Sequence, residues 1–214
     1  MRTEPESFIP VLNDELSRIE GKLLMPEEEE GTILSLWEGS SAWVGAVSTL
    51  EDTLPRAPLR WSDGLAAAAR EHCEDMGNSG QVGHIGTDDS EFWQRAARYG
   101  NVIESSAENI SYSATTGREA ALALFVDDGV ESRQHRMNMI DEDYTVVGVA
   151  NCKHSLEAYG SMTVVIYAGD FEITDEGTEK VEEYKKSLDD AETGGRRLAE
   201  IDEKHILSTE KFLG

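Results

Sequence analysis

One helix constrains the architecture more than any other feature. From Gly117 to Asp128, the residues Ala120, Leu122, Ala123, Leu124, Phe125 and Val126 make a helical stretch apolar on nearly all sides. A helix of that kind is buried, so other elements must cover it. Two β-branched runs follow, Thr145 to Cys152 and Met162 to Ala168, separated by a polar stretch with Tyr159-Gly160. They read as adjacent antiparallel strands.

The rest of the chain supplies helices around them. Pro5 opens a helical pattern through Phe8, Ile9, Leu12, Leu16 and Ile19 that stops at Gly21, and Pro26 with Glu27 to Glu30 reads as a solvated link. Trp43, Val44, Val47 and Leu50 share a helical face that ends before Pro55 and Pro58. Ser62 is a suitable N-cap for a helix from Asp63 to Met76, broken by Gly77-Asn78-Ser79-Gly80, which places His84 on or next to a loop. A helix carrying Phe92, Trp93, Ala96 and Tyr99 ends at Gly100, a long loop from Asn101 to Thr116 follows, and a short helical segment carries His135, Met139 and Ile140. The expected organisation is an N-terminal helix and acidic link over 1–30, a core over 31–172, and a charged helical extension over 173–214. Within that extension, Val181, Tyr184, Leu188, Leu198, Ile201, Ile206 and Phe212 line one or two helices, broken at Gly194-Gly195, that dock on the core or on a partner.

A chain of 214 residues can bury one sizeable core. Its formal charge of -24 sets a negative field that repels nucleic acid and anionic membranes, so no nucleic-acid partner is expected. No apolar run has the length of a transmembrane segment, and Met1-Arg2-Thr3-Glu4-Pro5 lacks the features of a secretory signal. Two expectations follow, an intracellular chain or a trimmed mature one. Cys73 and Cys152 are either one disulfide or two buried thiols.

Chemistry concentrates between two histidines. The segment opens with Gly83-His84-Ile85-Gly86, passes through Ala107-Glu108-Asn109-Ile110, and closes with Asp127-Asp128-Gly129-Val130-Glu131-Ser132-Arg133-Gln134-His135-Arg136-Met137-Asn138. Imidazoles and carboxylates bind borderline metals or move protons near neutral pH. The plainer reading makes His84 a ligand of a loop carbonyl and lets Glu108 and Asn109 tie the 101–116 loop to backbone amides. His72, His154 and His205 are expected to be solvated, and Trp37, Trp43, Trp61 and Trp93 to be core or half-buried packing residues.

The order of Pro58-Leu59-Arg60-Trp61-Ser62-Asp63-Gly64-Leu65, then Gly83-His84-Ile85-Gly86-Thr87-Asp88, Glu108-Asn109-Ile110-Ser111-Tyr112, and Asp127 through Asn138 resembles the CAP superfamily. That group contains the cysteine-rich secretory, antigen 5 and pathogenesis-related proteins, and the chain is most similar to its SCP-like microbial and protist branch. The resemblance implies an α+β fold, an α-β-α sandwich with a small, mainly antiparallel sheet between helical layers. It implies a cleft with a tetrad of His84, Glu108, Asp128 and His135 for Zn²⁺ or another divalent cation, with Asp127 and Glu131 as alternatives to Asp128. Asn109, Asp88 and Glu131 are expected along the same cleft.

Ala107, Glu131 and Gln134 depart from the residues usual in the branch, which often has glycine, proline and glycine there. Its two usual strand cysteines are replaced by Asn151 and Thr163, while Cys152 is shifted by one and so faces the other side of its strand. The resemblance implies a secreted binding protein with a lipid, sterol or protein ligand. A structural subunit with a vestigial tetrad is the second reading, and a metal hydrolase the third, since the chain has no HExxH helix, no GxSxG elbow and no cysteine near His135.

Overall fold

The structure is a computed structural model that describes residues 1–28 and 30–193, with backbone alone for 187–193. A 3₁₀ turn (Pro5–Phe8) leads into α1 (Ile9–Ser17), followed by β1 (Ile19–Glu20), β2 (Leu23–Leu24) and β3 (Leu34–Ser35), a small antiparallel meander. The first helix therefore stops earlier than its apolar pattern. Arg18 turns the chain, because its carbonyl accepts from the Met25 amide at 3.0 Å and its guanidinium donates to the Met25 carbonyl at 2.7 Å. Ile19 is drawn into a strand.

Next come α2 (Ser41–Asp52), β4 (Arg60–Trp61), α3 (Asp63–Ser79), α4 (Phe92–Ala97), β5 (Gly100–Tyr112), α5 (Gly117–Val126), α6 (Gln134–Ile140), β6 (Val146–Lys153), β7 (Ser161–Ile173) and α7 (Asp175–Thr193). The main sheet has the order β4-β6-β7-β5, antiparallel except for the parallel β4/β6 pair. Its alternation decides the layers. Val165 and Tyr167 of β7 face a core built on α1, α2, α5 and α6, whereas Met162, Val164, Ile166 and Ala168 face the core of α3 and α4. This is the expected α+β sandwich.

Local chemistry sets the helices. Ser62 accepts from the Leu65 amide as N-cap of α3, and Gly80 ends it in the left-handed conformation. Thr116 and Glu119 form a reciprocal capping box at the start of α5. Close packing of α3 on β6 requires Gly148, since a Cβ there would lie 2.1 Å from the Ala66 nitrogen. Phe125 is fully buried, as the all-apolar face of α5 demands.

Helix α7 docks on the molecule itself over its described residues. Val181 is buried, Tyr184 donates its hydroxyl to Glu74 at 3.2 Å, and Lys180 donates to the Arg98 carbonyl. Burial pushes the Tyr184 phenol up to about 12. Leu198, Ile201, Ile206 and Phe212 lie outside the described residues, as does His205.

Three expectations about side chains fail. His72 is fully buried and His154 nearly so, the latter with Nε2 at 2.9 Å from the Gln81 carbonyl and with Tyr112 and Tyr159 edge-on. Trp37 is 77% exposed, so it is not a packing residue of the core. Cys73 and Cys152 are joined, which binds α3 to β6. Asn151 and Thr163, directly opposite each other in the ladder, hold the place of the missing bridge with a side-chain hydrogen bond of 2.8 Å.

A latch links the segment before α2 to the loop between α5 and α6. Asp128 accepts from the Trp37 and Glu38 amides at 2.7 and 2.9 Å, and Glu38 in turn accepts from the Gly129 amide at 2.8 Å and from both terminal nitrogens of Arg133. Arg133, then the Gly129 amide, hold the Glu38 carboxyl down to about 2.

Two outcomes are expected. Because the folded carboxyl of Glu38 titrates below its ordinary value near 4.5, its stabilising effect is present above that value and is lost as pH falls toward 2. Urea midpoints measured over that range should fall less steeply in Glu38→Gln than in wild type; parallel curves would refute the latch. For the disulfide, Cys73→Ala with Cys152→Ala should lower the unfolding free energy by about 2–4 kcal/mol in urea titrations. A double variant as stable as wild type would show that the crosslink restrains nothing.

Candidate functional site

The site is assembled along β5, the edge strand that the sequence suggests is a loop. Alternation sends neighbouring residues to opposite faces, so Glu108 meets the α3/α4 layer and Asn109 meets α6. Glu108 is buried, and both its oxygens are engaged. Oε1 lies 2.8 Å from His84 Nδ1, and Oε2 accepts from Arg95 at 2.9 Å. Arg95, also buried, donates to the carbonyls of Ser90 at 2.6 Å and His84 at 3.1 Å. One guanidinium therefore neutralises Glu108 and fixes the loop that carries His84.

That loop has further supports. The Gly83 carbonyl accepts from His72 Nε2 at 2.9 Å, and the Gly83 amide donates to the Tyr112 hydroxyl at 2.9 Å. Burial lowers the pKa of His72, which keeps the ring neutral and able to hold the carbonyl. Asp75 accepts from the Thr87 amide and hydroxyl on the far side.

The second histidine is held by Asp127. This residue ends α5 in the left-handed conformation, with φ of 57°, and that turn aims its buried carboxylate at the first turn of α6. Oδ2 accepts from the His135 amide at 2.9 Å, and Oδ1 lies 2.7 Å from His135 Nδ1. Asp128 is not the residue that meets His135. One position further along, it points away and serves the Trp37 and Glu38 amides.

Of the other residues expected along the cleft, Asn109 is fully buried, Asp88 pairs with Arg98 at 2.7 Å on the surface, and Glu131 is exposed. Asn109 belongs to a relay of amides. Gln134 donates to Asn138 at 2.9 Å, Asn138 to Asn109 at 2.8 Å, and Asn109 to the His135 carbonyl at 2.9 Å. This relay ties α6 to the edge of the sheet.

Beside these groups lies a cavity of about 390 Å³, lined by His84, Ile85, Glu91, Phe92, Ser106, Ala107, Glu108, Gln134, Asn138 and Tyr144. The wall contributed by α6 is Gln134 and Asn138, with His135 adjacent in the same first turn. Among the described residues, no three His, Cys, Asp or Glu side chains gather as a metal-holding group. The expected tetrad is thus two separate His–carboxylate pairs. In each pair the acid lies against Nδ1, and Nε2 is the ring nitrogen turned away from the acid.

The sequence analysis gives Arg95 and Tyr144 no part in this site, and it includes Gln134 and Asn138 only as members of the segment around His135. Arg95 is adjacent to Ala96 on a short helix with an apolar face, and its one legible signal is a cation beside a stripe otherwise fit for burial.

The family model of the cysteine-rich secretory protein family, CAP, matches residues 52–168, which include both histidines and both paired carboxylates. No curated protein matches the chain in sequence. Among solved structures, an outer surface protein of Borrelia burgdorferi is 17% identical with a TM-score of 0.44, over 53% of this chain and 78% of that one. An extracellular protein containing an SCP domain from Bacillus anthracis is 21% identical with a TM-score of 0.41, over 57% of this chain and 36% of that one. The matched segment is more than half of the sequence, and the chain belongs to the cysteine-rich secretory protein (CAP) family.

Proposed function

We propose that this CAP domain is a binding module whose cleft takes a divalent transition-metal ion through the Nε2 atoms of His84 and His135. The observation that carries this reading is the pairing of each Nδ1 with a buried carboxylate, at 2.8 Å for Glu108 and 2.7 Å for Asp127. Carboxylates in that position fix the tautomer and orientation of an imidazole and raise its basicity as a ligand. The donor set suits Zn²⁺ or a similar borderline ion, with water completing the shell. Such an ion supplies a Lewis-acidic point for an oxygen-bearing ligand.

The chain's own groups divide the remaining work. Arg95 holds the Glu108 carboxylate in its orientation, and His72 holds the backbone just before His84. Covalent hydrolysis has no support in the site, because among the described residues no side-chain hydrogen bond joins an imidazole to a Ser, Thr or Cys nucleophile. An extracellular setting is part of the same proposal, supported by the Cys73–Cys152 bridge and the family's character. Among the described residues, no helix is long and apolar enough to cross a membrane.

Isothermal titration of chelator-treated protein with Zn²⁺ tests the metal site. Wild type should saturate, His84→Ala with His135→Ala should show no specific heat, and Asp127→Asn should bind about 10–100-fold more weakly. Asp128→Asn should bind as wild type does while melting at a lower temperature. Equal affinity in wild type and the double-histidine variant would overturn the metal reading, and an affinity lost in Asp128→Asn but kept in Asp127→Asn would reverse the roles of the two acids.

A further inference from the structure

The cavity beside His84 has a polarity of its own, independent of any metal. Its lining contains no Lys or Arg. Arg95 lies behind the wall with its charge directed at Glu108 and at backbone carbonyls, so it offers nothing to a ligand. Among the polar groups that remain, Glu91 supplies the exposed carboxylate, beside the hydroxyls of Ser106 and Tyr144 and the amides of Gln134 and Asn138.

Two of them stand out. Glu91 lines the cavity and is exposed; its Oε2 accepts from Trp93 Nε1 at 3.1 Å and its side chain takes part in the capping box of α4 with Gln94, so a ligand would meet the outer lone pairs of this carboxylate. Gln134 is the outer end of the amide relay, in which every step donates inward, from Gln134 to Asn138, from Asn138 to Asn109, and from Asn109 to the His135 carbonyl. A relay running in that direction uses one N–H of the Gln134 amide and leaves its Oε1 carbonyl as an acceptor at the outer end. Asn138, itself 4% exposed, holds it there.

The apolar part of the lining is Ile85, Phe92, Ala107 and Tyr144. Phe92 and Tyr144 add aromatic rings, whose faces attract cations. A volume of about 390 Å³ falls within the range of small-molecule sites. The net charge of -24 draws cations toward any concave part of this surface.

We propose that this cavity binds a small organic cation, a protonated amine or guanidinium on a short apolar stem, with Glu91 and the Gln134 carbonyl receiving the charged head and Phe92 and Tyr144 covering the stem. The inference rests on the reading of this cleft as a binding site, and it names the ligand class. A neutral sterol or acyl chain fits less well, because it would offer no donor to Glu91 or to the Gln134 carbonyl.

Calorimetric titration with pentylammonium, agmatine, pentanol and pentanoate, all in the presence of a chelator, tests it. The two cations should bind at least about tenfold more tightly than pentanol, and pentanoate should give no binding heat. Glu91→Gln and Gln134→Gly should each weaken pentylammonium at least about fivefold, and raising the salt concentration should weaken it further. Pentanol binding as tightly as pentylammonium, saturable pentanoate binding, or an absence of heat with both cations would overturn the proposal. A separate Zn²⁺ titration without amine keeps the two readings apart. Zn²⁺ binding without amine binding removes the organic cation alone, and amine binding without Zn²⁺ binding removes the metal alone.

Discussion

Everything near the site depends on how the Arg136 guanidinium is buried. It leaves α6, donates to the Phe125 and Val126 carbonyls at 2.6 Å each, reaches the Ala42 carbonyl at 2.9 Å, and lies over the Phe125 ring at 5.7 Å. Two of these acceptors close α5 and the third opens α2, so one side chain collects three helices. A cation at a helix C-terminus also meets the favourable end of the helix dipole. Asp127 follows Val126 directly, and its aim at His135 is therefore inherited from this contact. The C-terminal end of α6 is gathered in the same manner by Arg2, through the Met139, Asp141 and Tyr144 carbonyls. Burying such a charge is costly unless its donors are satisfied, and carbonyls do most of that work in both cases.

Arg95 is the exception among the buried guanidiniums, since it meets a carboxylate. That difference turns the site from four equivalent ligands into two oriented imidazoles. Glu108 spends one oxygen on Arg95 and one on His84, and Asp127 spends its oxygens on the His135 amide and ring. The acids set the rings and do not themselves face a ligand. On the proposed reading, an ion held by two such imidazoles would exchange readily, because most of the coordination around it would be solvent.

Much of this was legible in the sequence, for reasons that differ between elements. Helices α3 and α5 announced themselves through the N-cap Ser62 and the apolar run from Ala120 to Val126, both local signals. The β6/β7 pair was legible because both strands are rich in branched apolar residues. Strand β5 was not, because Glu104, Ser105, Ser106, Glu108 and Asn109 favour loops and became a strand only through pairing with β7. The choice between Asp127 and Asp128 was hidden for a similar reason: a left-handed turn at Asp127 decides which carboxylate points inward, and neither residue type nor spacing encodes it. His72 resembled any mid-helix histidine until the Gly83 carbonyl came within reach.

The Cys73–Cys152 bond has a topological side. It closes a covalent ring of backbone that contains His84, Glu108, Asp127, His135 and every residue lining the cavity. Any single peptide bond inside that ring can be cut without producing two diffusing pieces. The loops around 80–90 and 127–133, the natural targets for a protease because they are irregular and near the surface, both lie within it. A nicked molecule thus keeps its two imidazoles on one connected covalent scaffold.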